Sequence, residues 1–276
     1  MEMITALKDR PPRAAILYHF MYPDDVVSAI HLDGLAQDLA NAGWEIEAFP
    51  CNRGCRDETK VYRRTDYYHN VKYVRVWRPN FSQRSFLGRI TNSAWMIAAW
   101  TKLAFRRPSK RPDVVIIGTD PIFGVIVAIA FKLFARNVKL AHWCFDMHPE
   151  AAVVSGIFRE NSSLVRLSKY IMRLAYNSCD LIVDLGTCMR RRLRTYGHNA
   201  LEHELTPWAL IEPRSPVVPD INTRFELFGN AKVGLLYSGN FGEAHDFSHF
   251  IELARSLRGV PDVHFCFGVR GNRAEL

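Results

Sequence analysis

The sequence has no apolar run long enough to cross a bilayer. The longest, Ile122 to Phe131 ("IFGVIVAIAF"), is closed by Lys132 and falls far short of the ~20 residues that a spanning helix needs. The amino-terminal stretch "MEMITALKDRPPRAA" has no continuous apolar core and carries acids as well as bases, so no export is expected and a cytoplasmic location is. The loop after the first apolar run, "HFMYPDDVVSAIH", contains no glycine. That excludes the G-x-G-x-x-G turn through which a dinucleotide pyrophosphate reaches the first helix, and no G-x-x-x-x-G-K-[ST] occurs anywhere. The six cysteines, at 51, 55, 144, 179, 188 and 266, are scattered through a chain too large to need disulfide staples. Cys51 and Cys55 in "CNRGC" have no second closely spaced Cys or His pair to complete a tetrahedral set, so no metal site is expected.

Acidic residues are outnumbered, 28 against 36 Lys and Arg, giving a formal net charge of +8 and a pI near 9.3. Such a balance suits nucleic acid, an anionic membrane surface or a phosphate-bearing ligand. Its distribution is more telling. Arg84 to Arg111 holds Arg84, Arg89, Lys102, Arg106, Arg107, Lys110 and Arg111 with no acid, interleaved with Phe86, Leu87, Ile90, Trp95, Met96, Ile97, Trp100, Leu103 and Phe105. This pattern fits a helix lying on an anionic leaflet, and equally a core helix with a basic rim. The arginine run "MRRRLRTYG" (Met189 to Gly197) is more simply a solvated helical face than a nucleic-acid patch, and no nucleic-acid partner is expected.

Apolar strand-like runs alternate with helix-period segments along most of the chain. "AAILYHF", "WEIEAF", "VKYVRVW", "DVVIIG", "VKLAHWCF" and "DLIVDLG" read as strands. Helical patterns cover Ile30–Ala42, Ile122–Ala135, a turn from Pro149, Ser163–Tyr176 and Thr187–Tyr196. The alternation predicts an α/β fold, a mostly parallel sheet covered by helices on both faces, over residues 1–210. Pro213, Pro216 and Pro219 break the periodicity, so 211–230 reads as a linker. A second domain starts at 231 with strand "KVGLLYSG", a helix His245–Leu257 and strand "DVHFCFG". One βαβ unit leaves a bare sheet edge, and the chain is expected to be a truncated form whose second domain is incomplete.

Ligand crevices of open α/β domains lie at the carboxyl ends of the strands, here the loops after Phe20, Gly118, Phe145 and Tyr237. In "SGNFGEAHD", Gly239 and Gly242 let backbone N–H groups approach a phosphate at a helix start, or mark an ordinary tight turn. "HWCFDMHPEAAVVSG" gathers His142, Asp146, His148 and Glu150. Asp146 is suited to holding a hydroxyl or taking its proton and His148 to donating one; the alternative is that Asp146 caps the next helix and His148 faces solvent.

Four stretches carry a family resemblance: "YPDDVVSAIHLDGLAQDLANAGWEIEAF", "WCFDMHPEAAVVSGIF", "LTPWALIEP", and "LLYSGNFGEAHDFSHFIELARSL" with "PDVHFCFGVRGNRAEL". The chain resembles the GT-B-fold, retaining nucleotide-sugar glycosyltransferases of family 4 type, in the branch linked to bacterial exopolysaccharide and colanic-acid assembly. The resemblance implies two Rossmann-like domains, an acceptor side on the first and a donor side on the second. Ser28 and His31 then contact the acceptor, Asp146 and His148 are catalytic, and Gly239, Asn240, Gly242 and His245 bind the donor. Many relatives carry a glycine pair where this chain has Asp24 to Val27, which favours acceptor contact there over a diphosphate. The resemblance further implies a nucleotide-sugar co-substrate with no other cofactor and no metal, and a lipid-linked saccharide acceptor at the inner membrane face, where the basic composition of Arg84 to Arg111 supports docking. The alternative is an inactive remnant, or an acceptor-binding module that needs a separate donor-domain chain.

Overall fold

The computed structural model describes residues 10–83, 85–210, 215, 217–218, 220–241 and 247–270. They fall into two compact units, one of Met1–Glu150 with Arg159–Leu210, the other of Ala151–Phe158 with Ile211–Leu276.

The first unit is built on an eight-stranded sheet. Its strands are β1 (Arg13–Leu17), β2 (Glu45–Ala48), β3 (Thr65–Tyr68), β4 (Val71–Val74), β5 (Val114–Ile117), β6 (Lys139–Trp143), β7 (Leu181–Asp184) and β8 (Leu201–Glu204). The order is β3-β4-β2-β1-β5-β6-β7-β8, parallel except for β3 against β4. The helices up to β8 are α1 (Val27–Asn41), α2 (Phe86–Ala104), α3 (Val127–Phe134), α4 (Glu150–Val154), α5 (Ser163–Ser178) and α6 (Thr187–Arg194); of α4 only Glu150 belongs to this unit. After β1 the chain winds outward to β2 and β4, then returns to place β5 on the other side of β1. The strand order therefore reverses between β1 and β5, which is where an open α/β sheet leaves a crevice at its carboxyl edge.

Alternation along β1 assigns its side chains to two cores. Ala14, Ile16 and Tyr18 pack with Ala29, Leu32 and Ala36 of α1 and with Tyr73 and Trp143. Ala15 and Leu17 face the other way, among Trp100 of α2, Phe131 of α3 and Tyr176 of α5.

Helix α2 begins at Ser85, whose side chain accepts from the Gly88 N–H at 3.0 Å. Its inner face buries Met96, Trp100 and Leu103, and the Trp100 indole donates to the Phe49 carbonyl at 2.8 Å. It thus belongs to the core along one face while Leu87, Ile90 and Phe105 stay exposed. No helix among the described residues is long and apolar enough to cross a membrane.

In the second unit, β9 (Val233–Asn240) and β10 (Val263–Arg270) pair in parallel, with α7 (Ile221–Phe228) and α8 (Ser248–Ser256) as its helices. Helix α7 lies inside the stretch read from its prolines as a linker. Asp220 caps it by accepting from the Thr223 N–H at 3.0 Å, and Gly229 ends it at φ 57°; the prolines precede this cap. The Phe228 ring lies over Gly234, where a Cβ would come within 2.5 Å of it.

Candidate functional site

Three strand ends and one helix start meet at the reversal point. Tyr18 directly follows β1, Thr119 and Asp120 follow β5, Asp146 and His148 follow β6, and Ser28 lies in the first turn of α1. Together with Ile122 they line a cavity of about 230 Å³. Tyr18, Thr119, Asp120 and His148 are each placed by packing or by a polar contact.

Tyr18 is 3 % exposed and its ring crosses Gly118, where a Cβ would come within 2.3 Å of Tyr18 Cδ2. Only glycine leaves room for that crossing. The Tyr18 hydroxyl donates to Ser28 Oγ at 2.6 Å. Burial, reinforced by Asp120, pushes its pKa up, so the hydroxyl stays protonated. Thr119 Oγ1 accepts from the Phe145 N–H at 2.7 Å, which ties the loop after β6 to the loop after β5.

Asp120 is held from beneath by His19, whose Nδ1 lies 3.5 Å from Asp120 Oδ1 while its backbone N–H donates to the Asp120 carbonyl at 2.9 Å. Burial disfavours the charged His19 ring, but Asp120 and the Cys51 thiol outweigh it and lift its pKa to about 9. A buried imidazolium at neutral pH therefore sits behind the cavity carboxylate. His148 behaves oppositely: burial lowers its pKa against the pull of Asp146 and Asp120, leaving it neutral and able to donate or accept. Its ring meets Phe123 edge-on, with centroids 6.1 Å apart. Phe123 adopts φ 64°, a left-handed conformation that is uncommon for a bulky residue and is often found near sites.

Of the residues expected from the sequence, Ser28, Asp146 and His148 come together in this cavity. His31, one turn beyond Ser28, does not line it; the ring is 3 % exposed and stands edge-on to Trp208 at 4.9 Å. Nor does His142, which is buried on β6 with Nδ1 2.9 Å from the Ile117 carbonyl and a pKa lowered by burial to about 4. Glu150 turns aside to accept from the Tyr196 hydroxyl. Asp146 lies exposed at the cavity wall, four residues ahead of the start of α4 at Glu150.

Gly239 and Asn240, expected in a loop, form the carboxyl end of β9, paired with Val269 and Arg270. The ladder continues three residues past Tyr237. Gly242 and His245 lie outside the described residues. Sequence reasoning missed Tyr18, Thr119 and Asp120. The "GTD" that closes the apolar run of β5 was the available signal, since its loop was already expected at the crevice.

The arginine run of α6 is tied down in part. Arg190 donates to Asp184 at 2.7 Å and Arg194 to Glu202 at 2.6 Å.

Fold and cavity together define an open α/β domain with a polar crevice at its strand-order reversal. Residues 28–207 match the glycosyl transferase 4-like domain, and the chain belongs to that family. A comparison with curated proteins found no match. Solved structures with a similar fold are GT-B glycosyltransferases. One is described as "Trehalose-6-phosphate from E. coli bound with UDP-2-fluoro glucose", at TM-score 0.57 and 11% identity over 96% of this chain and 66% of that one. Two others are α,α-trehalose-phosphate synthases (UDP-forming). That of Burkholderia vietnamiensis has TM-score 0.55 and 12% identity over 96% of this chain and 66% of that one. That of Burkholderia xenovorans, in complex with glucose-6-phosphate, has TM-score 0.55 and 12% identity, with 96% and 67% covered. The chain thus spans about two thirds of the length of these structures. At such identity the likeness concerns the fold.

Proposed function

We propose that the chain binds a saccharide acceptor in the cavity at the β1/β5 reversal and serves a retaining transfer of a sugar from a nucleotide-sugar donor. The acceptor is a lipid-linked saccharide in cell-surface polysaccharide assembly, met at the cytoplasmic face of the membrane. The observation that carries the reading is the convergence of Tyr18, Ser28, Thr119, Asp120, Asp146 and His148 on one small cavity. Hydroxyls and carboxylates recognise sugar hydroxyls, and a cavity of about 230 Å³ takes a single sugar ring more readily than a nucleotide.

In this reaction the acceptor oxygen forms a bond to the anomeric carbon as the bond from that carbon to the diphosphate breaks. The diphosphate leaves with the bonding electron pair, and the acceptor proton passes to a base. Asp146 is placed to orient the acceptor hydroxyl and take that proton, and neutral His148 to donate a hydrogen bond to the sugar. On the family resemblance the donor diphosphate is assigned to Gly239, Asn240, Gly242 and His245, a glycine-bearing stretch of sequence whose composition lets backbone N–H groups approach negative charge. Retention and the polysaccharide role rest on the family resemblance.

The test is release of nucleoside diphosphate by the purified chain from a panel of nucleotide-sugars, with and without lipid-linked saccharides extracted from membranes. Acceptor-dependent release from at least one donor is expected. No release from any donor contradicts the proposal and favours a remnant or a module that needs a second chain.

A further inference from the structure

We propose that the outer face of α2, together with the end of α3, lies flat on an anionic lipid leaflet. This deepens the membrane-facing reading above by assigning which surface meets the lipid. The inner face of α2 is spent in the core, so only its outer stripe is free to do so. That stripe runs Leu87, Ile90, Ala94, Ala98, Lys102 and Phe105, all exposed, at the spacing of one helical face. It contains no acid. Leu87 is 76 % exposed, and Phe105 at 58 % pairs its ring with the half-exposed Phe134 of α3, centroids 4.5 Å apart. Leu133 beside it is equally exposed. Trp77 and Trp95 meet edge-on at the flank, with the Trp95 indole donating to the Trp77 carbonyl, an arrangement suited to the headgroup layer.

Cations surround this apolar stripe. Arg89 is exposed at one end, and Lys102, Arg107, Lys110, Lys132 and Arg136 are exposed at the other. Among the described residues none of these six has an acidic ion-pair partner, whereas the carboxylates nearby are already engaged. Glu47 is held by Lys72 at 2.8 Å and Arg106 at 3.2 Å, and Asp113 by Arg10 at 2.7 Å. The surface is thus apolar in the middle, cationic at both ends and free of unpaired acid, which fits anionic lipid. Exposed leucine and isoleucine gain from a hydrocarbon boundary and gain little from a nucleic acid.

The orientation that follows serves the cavity. The segment after β5 links α2 to the cavity: a Cβ at Gly124 would come within 3.5 Å of the Trp100 ring of α2, and the neighbouring Phe123 ring meets His148. A helix lying in the leaflet plane would set the cavity beside the lipid headgroups, where a lipid-linked sugar is presented.

The experiment is co-flotation of the full chain with vesicles of phosphatidylcholine alone or with added phosphatidylglycerol. Binding to the anionic vesicles only, weakened by salt, is expected. Replacing Lys102, Arg107 and Lys110 by Gln should lower the partition coefficient about a hundredfold, and L87E with F105E should abolish binding. A control with the same charge loss elsewhere, R166Q/R191Q/R192Q, should stay within about threefold of the wild type. Absence of wild-type binding overturns the proposal. So does an equal loss in the control, or tight salt-sensitive nucleic-acid binding without vesicle binding. Flotation is read without sugar transfer, so its failure leaves the acceptor cavity untouched.

Discussion

Replacing Gly118 by Ala probes how the cavity is assembled. The added Cβ would stand 2.3 Å from Tyr18 Cδ2, 2.7 Å from Tyr18 Cε2 and 3.0 Å from Leu32 Cδ1. Tyr18 and Leu32 are 3 % and 0 % exposed, so neither can swing into solvent. Overpacking of this kind costs about 1–3 kcal/mol, which for a domain of this size lowers the thermal midpoint by roughly 2–12 °C. The displaced ring also carries its hydroxyl away from Ser28 Oγ, now 2.6 Å distant. The assay is a double-mutant cycle read by thermal or urea unfolding. Tyr18→Ala is destabilising by itself, but in that background Gly118→Ala should be nearly neutral, because the clashing ring is gone. The coupling should then approach the whole cost of the single glycine variant. If the two effects simply add, or if Gly118→Ala is neutral alone, the ring does not depend on the glycine and the reasoning fails.

Two further predictions concern pH. Asp33, 7 % exposed, accepts from the Tyr73 hydroxyl at 2.9 Å and the Tyr22 N–H at 2.8 Å, yet burial lifts its pKa to about 7. A carboxyl raised above its unfolded value favours the fold while protonated, so stability should fall by up to about 4 kcal/mol as pH rises from near 4 through 7. Asp33→Asn should flatten unfolding curves across that range; an unchanged slope contradicts the assignment. His19 is also raised, to about 9, by Asp120 and Cys51 against its burial. Its ion pair should contribute fully below about pH 6.5 and be lost as pH climbs through about 9. His19→Gln should remove that alkaline decline, and a decline that persists would place its cause elsewhere.

Much of the architecture was legible because strand and helix periods differ so clearly here. "DVVIIG" and "DLIVDLG" became β5 and β7, and Leu32 and Ala36 of α1 are buried on the face that their spacing put them on. Strand β8, "LEHE", has charged residues at alternate positions and lies at the sheet edge, so it carries no apolar signal. Strand β3 is likewise an edge strand, paired only to β4 through a turn in which His69 and Asn70 both have positive φ. Helix α7 was hidden behind prolines that precede its cap. Within the site, Asp146 and His148 stood out because ionisable residues clustered after a strand. Tyr18 looked like a core residue, and its ring is one; only the hydroxyl reaches the cavity. Asp120 shows its role through His19, a partner 101 positions away in the chain, and no local pattern reveals such a pairing. His31 lies one turn further along the same helix as Ser28, and there its ring stands against Trp208 and does not line the cavity.

The most direct test compares acceptor-dependent sugar transfer by the wild type with that of Ser28→Ala, Asp146→Asn and His148→Ala, each checked for an unchanged melting profile. Loss of a positioned proton acceptor or donor typically costs 10²–10⁴-fold in rate. Asp146→Asn and His148→Ala should therefore lose at least about a hundredfold in kcat/KM, with a smaller loss for Ser28→Ala. Transfer within about twofold of wild type in all three, which no role in proton movement or sugar positioning allows, would contradict the cavity as the acceptor site.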